Sequence, residues 1–276
     1  FYTGSTVVFN YGQRPFAYTP PNGFKSLCTQ NFPDPTIADG STAFDAVTYA
    51  GSGYSNTTNP SQSITGLSFS PDLVWSKARS AAYSHGMFDS VRGANKFLRP
   101  NGNQAEITDS GVSSSLVSFD SNGFTLGPDA GVGSINYGGT NYVAWTWDAG
   151  SSTVSNTDGS ITSSVKANQT AGFSIVSYTG NNTNGATVGH GLNATPSLII
   201  IKNRSTAYNW IVLYTDTSKK LYLDLPNTPD SYSQTTRNSS IFTLENGTAV
   251  NGSGDDMIAY CFAPVEGYSS FGPYKG

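Results

Sequence analysis

The stretch DLVWSKARS at residues 72–80 recurs later in the chain as SLIIIKNRS at residues 197–205. Both stretches are apolar runs of strand-forming residues that end on Lys-x-Arg-Ser. A tyrosine follows each of them at the same offset, Tyr83 in one case and Tyr208 in the other. A long-range recurrence of this kind indicates an internal repeat built on one supersecondary unit.

Further strand-like segments repeat in the same order around these two stretches. FDAVTYAG at residues 44–51 matches FSIVSYTG at 173–180, and both alternate with the period of two of a half-buried strand. YVAWTW at residues 142–147 matches MIAYCF at 257–262. The segments between the matches differ in length, as loops commonly do between related units.

The repeats and the composition together predict an all-β fold. We expect two tandem homologous antiparallel β-sandwich modules of the jelly-roll or concanavalin-like type, at residues 43–149 and 160–276, with residues 150–160 as a linker. These modules are called the first and the second repeat. The 30 glycines suit short strands joined by tight turns.

Charge and hydropathy argue against two classes of partner. Charged residues make up 12% of the chain and the net charge is −4, so no basic stripe supports nucleic-acid binding. No run approaches the roughly 18 apolar residues of a membrane span, so we expect no membrane insertion. The two cysteines, Cys28 and Cys261, are interpreted as buried free thiols, with one long-range disulfide as the alternative.

The first 37 residues resemble the closing strand and tail of a SPRY-like β-sandwich. The resemblance rests on FNYGQRPF at residues 9–16, followed by PPNGF at 20–24 and Leu27. The strands that should precede this motif are absent. Because the chain also starts at Phe1 without a methionine, we expect that an upstream part is missing.

Taken whole, the two repeats resemble a β-rich tandem-repeat family of marine bacteriophage tail-fibre and virion proteins. The resemblance rests on the strand ending in Lys-x-Arg-Ser, on FDSVRGANK at residues 88–96, on SFDSNGFTL at 118–126 and on the VAWTW strand. It implies a place in a phage particle, and it carries no established activity. The second repeat has LYTD at residues 213–216 where the first has FDSVRG, so a site built on that run would exist once.

Residues suited to catalysis or to metal binding form no recognised motif. Ser84, His85, Asp89 and Ser90 lie close in sequence, but a Ser/His/Asp triad is a spatial arrangement without a short spacing rule. The adjacent Asp255 and Asp256 fall short of the six to eight oxygens that Ca²⁺ prefers, so a hairpin turn is the favoured interpretation. We therefore predict no catalytic residues, no metal and no cofactor, and we expect that the protein is not an enzyme.

Ligand binding has better support than catalysis. Trp75, Trp145 and Trp147 are predicted to belong to the core, because their counterparts in the second repeat are Ile200, Tyr260 and Phe262. The Lys-x-Arg pairs are read as scaffold that meets an acid of a neighbouring strand, with an anionic glycan as the alternative partner. Residues unique to one repeat and placed in loops are the better surface candidates, namely Tyr83, His85, Tyr137, Tyr208, Asn209 and Trp210.

The function expected from these observations is that of a virion structural protein, part of a tail fibre or spike that attaches to a host-surface glycan. By analogy with such appendages we expect a homo-oligomer, most often a trimer, in contact with other virion proteins. The alternatives are a capsid-decorating or capsid-fibre protein, a secreted bacterial adhesin or surface filament, and a glycan hydrolase. The expected location is the virion, or otherwise the extracellular space.

Overall fold

The computed structural model describes residues 34–53, 61–108, 115–128, 135–233 and 236–272, together with a few residues between 10 and 23. Most of the SPRY-like segment at residues 1–37, including Cys28, lies outside the described residues. Within them the fold is all-β with antiparallel sheets, which confirms the predicted fold class.

The described residues of the first repeat form nine strands, which follow a short 3-10 turn at Gly40–Thr42. The strands are β1 Phe44–Ala50, β2 Gln62–Thr65, β3 Leu73–Ala78, β4 Gly86–Asp89, β5 Lys96–Phe97, β6 Ile107–Thr108, β7 Leu116–Asp120, β8 Gly123–Leu126 and β9 Asn141–Trp147.

The later residues form ten strands and one helical turn, α1 Thr248–Asn251. The strands are β10 Thr153–Asn156, β11 Ser163–Asn168, β12 Phe173–Thr179, β13 Thr187–Gly189, β14 Leu198–Asn203, β15 Ile211–Leu213, β16 Lys219–Tyr222, β17 Asp230–Ser231, β18 Ile241–Thr243 and β19 Asp256–Phe262. Strand β10 falls within residues 150–160, so the interpretation of that segment as a linker was wrong. Its residues pair with β11, because Thr and Val favour a strand and a polar edge strand is tolerated in water.

Two central sheets share one strand order. The first central sheet runs β1-β9-β3-β4, and the second runs β10-β11-β12-β19-β14-β15-β16-β17, in which β12-β19-β14-β15 are the strands that match the first sheet in sequence. Each central sheet packs one face against a smaller sheet, β2-β8-β7 in the first case and the pair β13-β18 in the second. The alternation seen in the sequence is therefore the alternation between the two faces of each central sheet.

The remaining faces of the two central sheets pack against each other. A third hydrophobic cluster lies between them and draws Leu73 and Met87 from the first sheet and Ile175 and Ile258 from the second. Trp147 is half-buried and packs against this cluster, with its ring 6.1 Å from that of Phe173, in agreement with its assignment to the core. The protein thus has four layers, with a small sheet on each outer side.

The single-copy run FDSVRGANK builds the polar part of this contact. Arg92 is buried and donates to the carboxylates of Asp89 at 2.5 Å and Glu106 at 3.1 Å, and to the hydroxyl of Tyr260 at 3.2 Å. Tyr260 in turn donates to Asp89 at 2.7 Å, and Glu106 receives two bonds from Arg204 at 2.8 and 3.0 Å. Because Tyr260 and Arg204 belong to the second repeat, this network joins the repeats.

The charges in this network support one another. Burial alone would lower the pKa of Arg92, but the carboxylates of Asp89 and Glu106 raise it above its usual value. Burial alone would raise the pKa of Glu106, but the hydrogen bond from Arg204 and the charge of Arg92 hold it below its usual value. Each charge therefore stabilises the ionised form of the other.

We predict that Arg92→Met lowers the free energy of unfolding by about 3–5 kcal/mol, because it leaves the carboxylate of Asp89 buried without its partner. The double variant Asp89→Asn/Arg92→Met removes both charges and should recover about 1–3 kcal/mol of that loss. Urea unfolding of both variants and of Asp89→Asn measures the coupling. Additive effects of the two substitutions would contradict the network.

Lys202 is the second buried charge of the contact. Its side chain is 0% exposed, and its Nζ donates to the carbonyls of Asn203 at 2.6 Å and Asn103 at 3.3 Å. Burial lowers the pKa of Lys202 to about 8, although the charge of Asp224 opposes the shift. A lysine in an unfolded chain titrates near 10.4.

We predict that the contribution of Lys202 to the free energy of unfolding grows as the pH rises from about 8 towards 10. In that window the folded state has released the proton of Lys202 and the unfolded chain still binds it. The free energy of unfolding therefore rises by up to about 1.4 kcal/mol per pH unit. Lys202→Met should remove this rise while the half-exposed control Lys219→Met keeps it, as measured by urea unfolding between pH 7.5 and 9.5. Parallel pH curves for wild type and Lys202→Met would refute the assignment.

Candidate ligand-binding site

Two tryptophans lie side by side on the face of the first central sheet that is turned towards the second repeat. Trp75 on β3 and Trp145 on β9 are directly opposite in the antiparallel register, and their rings meet edge to face at 6.2 Å. Residues two positions away share the same face, which adds Lys77 and Val143. All four side chains are half-buried, so they present apolar surface that the second repeat covers only in part.

His85 completes this group of side chains. It immediately precedes β4, its main-chain N–H donates to Asn101 at 2.9 Å, and its Nδ1 accepts the indole N–H of Trp75 at 3.0 Å. An imidazole that accepts at Nδ1 carries its proton on Nε2. No described residue is bonded to Nε2, so the Nε2–H can donate to a ligand.

The electrostatics of the group keep this histidine neutral. Burial lowers the pKa of His85 below its usual value, and the positive charge of Lys77 lowers it further. The Nζ of Lys77 donates to the carbonyls of Ala78 at 2.7 Å and Ala81 at 3.4 Å, which holds the charge beside the tryptophans. At neutral pH the surface therefore combines two indole faces, one neutral donor and one fixed cation.

Tyr83 and Tyr137 extend the aromatic surface in the neighbouring loops. Their rings lie 4.9 Å apart with an interplanar angle of 34°, and Tyr83 is 37% exposed. The main-chain N–H of Tyr137 donates to the hydroxyl of Tyr142, which anchors the loop on β9. The structure thus brings Tyr83 and Tyr137 together as one aromatic pair, whereas His85 belongs to the group of Trp75.

The predicted residues of the second repeat do not form a matching group. Trp210 was expected at the surface, and that expectation was wrong, because its indole is fully buried. Its N–H donates to the carbonyls of Arg99 at 2.9 Å and Gly102 at 3.1 Å, and it stacks near Tyr260 at 6.5 Å. Tyr208, which is exposed, and Asn209, which is half-buried, precede Trp210 in the chain. Within the described residues no bond or ring contact joins Tyr208 or Asn209 to the aromatic residues of the first repeat.

The core assignment of Trp75 and Trp145 holds only in part. Trp75 packs against the cluster between the sheets, but both tryptophans are only half-buried, whereas their counterparts Ile200 and Tyr260 are buried. The available signal was chemical, since an indole N–H needs a hydrogen-bond partner and a buried isoleucine does not. For Trp75 that partner is His85.

The residues weighed for catalysis are engaged in structural contacts. Asp89 is buried against Arg92 and Tyr260, and the hydroxyl of Ser90 donates to Asp72 at 2.6 Å. Asp255, weighed as a calcium ligand, accepts a bond from Asn203 at 2.8 Å. Over the described ranges no three His, Cys, Asp or Glu side chains are grouped to hold a metal ion, and no helix is long and apolar enough to cross a membrane.

Two structural interpretations of the sequence can be compared with these contacts. Arg204 does meet an acid, but Glu106 belongs to the other repeat and is not on a neighbouring strand of the same sheet. Cys261 is a buried free thiol, and burial raises its pKa to about 12. Cys28 lies outside the described residues, so the alternative of a long-range disulfide stays untested.

A family model for a domain of unknown function, DUF7483, matches residues 39–276. The chain belongs to the DUF7483 family. One model therefore spans both repeats together with the contact between them, and it starts after the SPRY-like segment. Neither the curated proteins nor the solved structures returned a match. The resemblances to SPRY-like domains and to phage tail fibres stay predictions.

We predict that His85 titrates below pH 6.5 and that Lys77→Met raises its pKa, because the nearby positive charge disfavours the imidazolium. NMR of the imidazole protons measures both values, and His85→Gln assigns the signal against that of His190. Lys220→Met, which alters a distant cation paired with Glu245, serves as the control. A wild-type pKa at or above 6.5 would contradict the described environment.

Proposed function

We propose that this protein is a virion structural protein, a segment of a phage tail fibre or spike, and that its first repeat binds a host-surface glycan. The observation that carries the proposal is the arrangement of Trp75, Trp145 and His85 at one sheet face, together with the aromatic pair of Tyr83 and Tyr137 in the loops of the same repeat. The phage setting is supported by the sequence resemblance and by an all-β fold with few charges.

The chemistry of the surface suits a saccharide. A sugar ring has an apolar face of C–H groups and a rim of hydroxyls, so it is held by flat aromatic rings with hydrogen-bonding groups at their edges. Because the two indoles meet edge to face, one of them provides the flat face, and the Nε2–H of His85 provides a donor to a hydroxyl. Paired β-strands hold Trp75 and Trp145 rigidly, which reduces the entropy cost of binding.

A role in host attachment also agrees with the positions of the candidate residues, some of which lie on strands and others in loops. Tyr83 and Tyr137 are in loops, which can change in sequence without altering the scaffold. Many copies in one particle would convert weak single-site binding into strong attachment through avidity. Assembly into homo-oligomers and contact with other virion proteins belong to this proposal.

We predict that Tyr83→Ala weakens glycan binding at least about tenfold, which corresponds to about 1.4 kcal/mol. Tyr208→Ala is the matched control, because Tyr208 holds the same offset in the second repeat and is similarly exposed, at 41% against 37%. The measurement is binding to an immobilised array of neutral and acidic bacterial saccharides. Both side chains are exposed, so neither variant should alter folding.

The outcome that would overturn the site is equal loss in both variants, and the absence of binding to every saccharide would overturn the function. The location has its own test. Antibodies raised against residues 39–276 should label the distal tail of particles in electron micrographs, whereas label on the head would favour the capsid-fibre alternative.

A further inference from the structure

Strand β1 forms an open edge of the first central sheet. Among the described residues it pairs only with β9, over seven positions from Phe44 to Ala50. An edge of this length exposes backbone donors and acceptors, and proteins usually protect such edges with proline, charged residues or a bulge. The strand FDAVTYA has no proline or lysine, and its single charge is Asp45. Two of its backbone groups bond to side chains, since the N–H of Ala46 donates to Asp45 at 2.7 Å and the carbonyl of Ala50 accepts from Gln62 at 2.9 Å, and an added strand would displace both side chains.

In the second repeat the strand equivalent to β1 is β12, and a further strand covers its outer edge. Strand β12 pairs with β19 in the register that β1 adopts with β9, so that Phe173 lies opposite Phe262 as Phe44 lies opposite Trp147. The other edge of β12 pairs with β11 along six residues, and Val165 lies directly opposite Val176. The fold therefore accommodates an added antiparallel strand at this edge.

The burial of β1 agrees with a missing neighbour. Val176 is 0% exposed beneath Val165, whereas Val47 at the same position of β1 is only half-buried. Ser174 is buried, and its counterpart Asp45 is half-exposed. An apolar side chain at the edge of a core gains stability when a neighbouring strand covers it.

We infer that β1 pairs with β1 of a second copy of this chain, antiparallel across a two-fold axis at Val47. Such pairing places Val47 opposite Val47, which reproduces the contact of Val165 with Val176. Across the axis Phe44 meets Ala50, Asp45 meets Tyr49 and Ala46 meets Thr48. All seven residues of the strand are then paired.

Charge and side-chain direction select this register. A two-fold axis at Asp45 would set the two carboxylates opposite each other, which is destabilising. With the axis at Val47 the two carboxylates are separated by four residues, or about 13 Å along the strands. An axis between two residues would pair side chains that point to opposite faces, and the pleat does not allow this.

The product is one continuous sheet of eight strands, in the order β4-β3-β9-β1 followed by the same strands reversed. The interface is isologous and closed, because each copy contributes the same surface. Ala46 and Thr48 share the sheet face of Trp145, so the aromatic surfaces of both copies lie on one side of that sheet. A two-fold pairing differs from the trimer expected from the resemblance, and it does not depend on glycan binding.

The test uses charges placed at the exposed positions Ala46 and Thr48, which oppose each other across the axis. The variant Ala46→Lys/Thr48→Lys puts like charges opposite each other on both sides of the axis. We expect it to weaken dimerisation at least about tenfold. The variant Ala46→Lys/Thr48→Glu puts opposite charges there and should dimerise as well as wild type.

Analytical ultracentrifugation of the whole chain, from low to high micromolar concentration, measures the association. Unchanged melting temperatures in both variants show that the monomer fold is intact. A wild-type chain that stays monomeric throughout would overturn the inference. Association that responds equally to both variants, or a trimer that ignores them, would overturn it as well.

Discussion

The face-to-face contact between the two central sheets is the constraint on which the rest of the structure depends. Each central sheet has two largely apolar faces, and its small partner sheet covers only one of them. The other face has to be covered by the other repeat, and the cluster around Leu73, Ile175 and Ile258 does this. Burial of this apolar surface drives the contact, since hydrophobic burial is proportional to area and has no direction.

Apolar burial alone does not fix how the two sheets are positioned against each other, whereas the hydrogen bonds around Arg92 do. A guanidinium that must satisfy Asp89, Glu106 and Tyr260 at once tolerates little sliding between the sheets. The run FDSVRGANK occurs in one repeat because a contact between two repeats needs one such centre. Lys166 and Asp72, joined at 2.5 Å, hold the sheets at a second point. The asymmetry of the two repeats in sequence therefore follows from their asymmetric roles in the contact.

Local patterns were sufficient to predict the fold class, and they were insufficient to predict the contact between the repeats. The alternation in FDAVTYA and the β-branched run in SLIIIKNRS report on strands directly, because each residue's environment is set by its own strand. Arg204 was expected to meet an acid nearby, but its partner Glu106 lies on a loop of the other repeat. Trp210 was expected at the surface for a similar reason, since the carbonyls that accept its N–H come from residues 99 and 102.

The same contact explains why the candidate site was only partly predictable. Equivalent positions in the two repeats differ in burial where only one of them lies in the contact between the repeats. At those positions a comparison of the two sequences does not predict which side chain is buried. Tyr260 is buried because it meets Arg92, whereas Trp145 at the equivalent position stays half-exposed beside Trp75. The loop residues Tyr83, His85 and Tyr137 were chosen because the repeats differ in sequence there. Trp75 and Trp145 were assigned to the core because Ile200 and Tyr260 replace them in the second repeat.

The edge strands β10 and β1 of the two central sheets also differ because the two repeats differ in what surrounds them. The second sheet ends on β10, a strand of four residues whose side chains are almost all exposed, and a short polar edge has little to offer a partner. The first sheet ends on β1, which is longer, more apolar and identical in place to the covered strand β12. Since the repeats share one strand order, the difference at these edges lies in what has been added to the second repeat. A strand that is interior in one repeat keeps the character of an interior strand in the other, and that character makes β1 a surface for association.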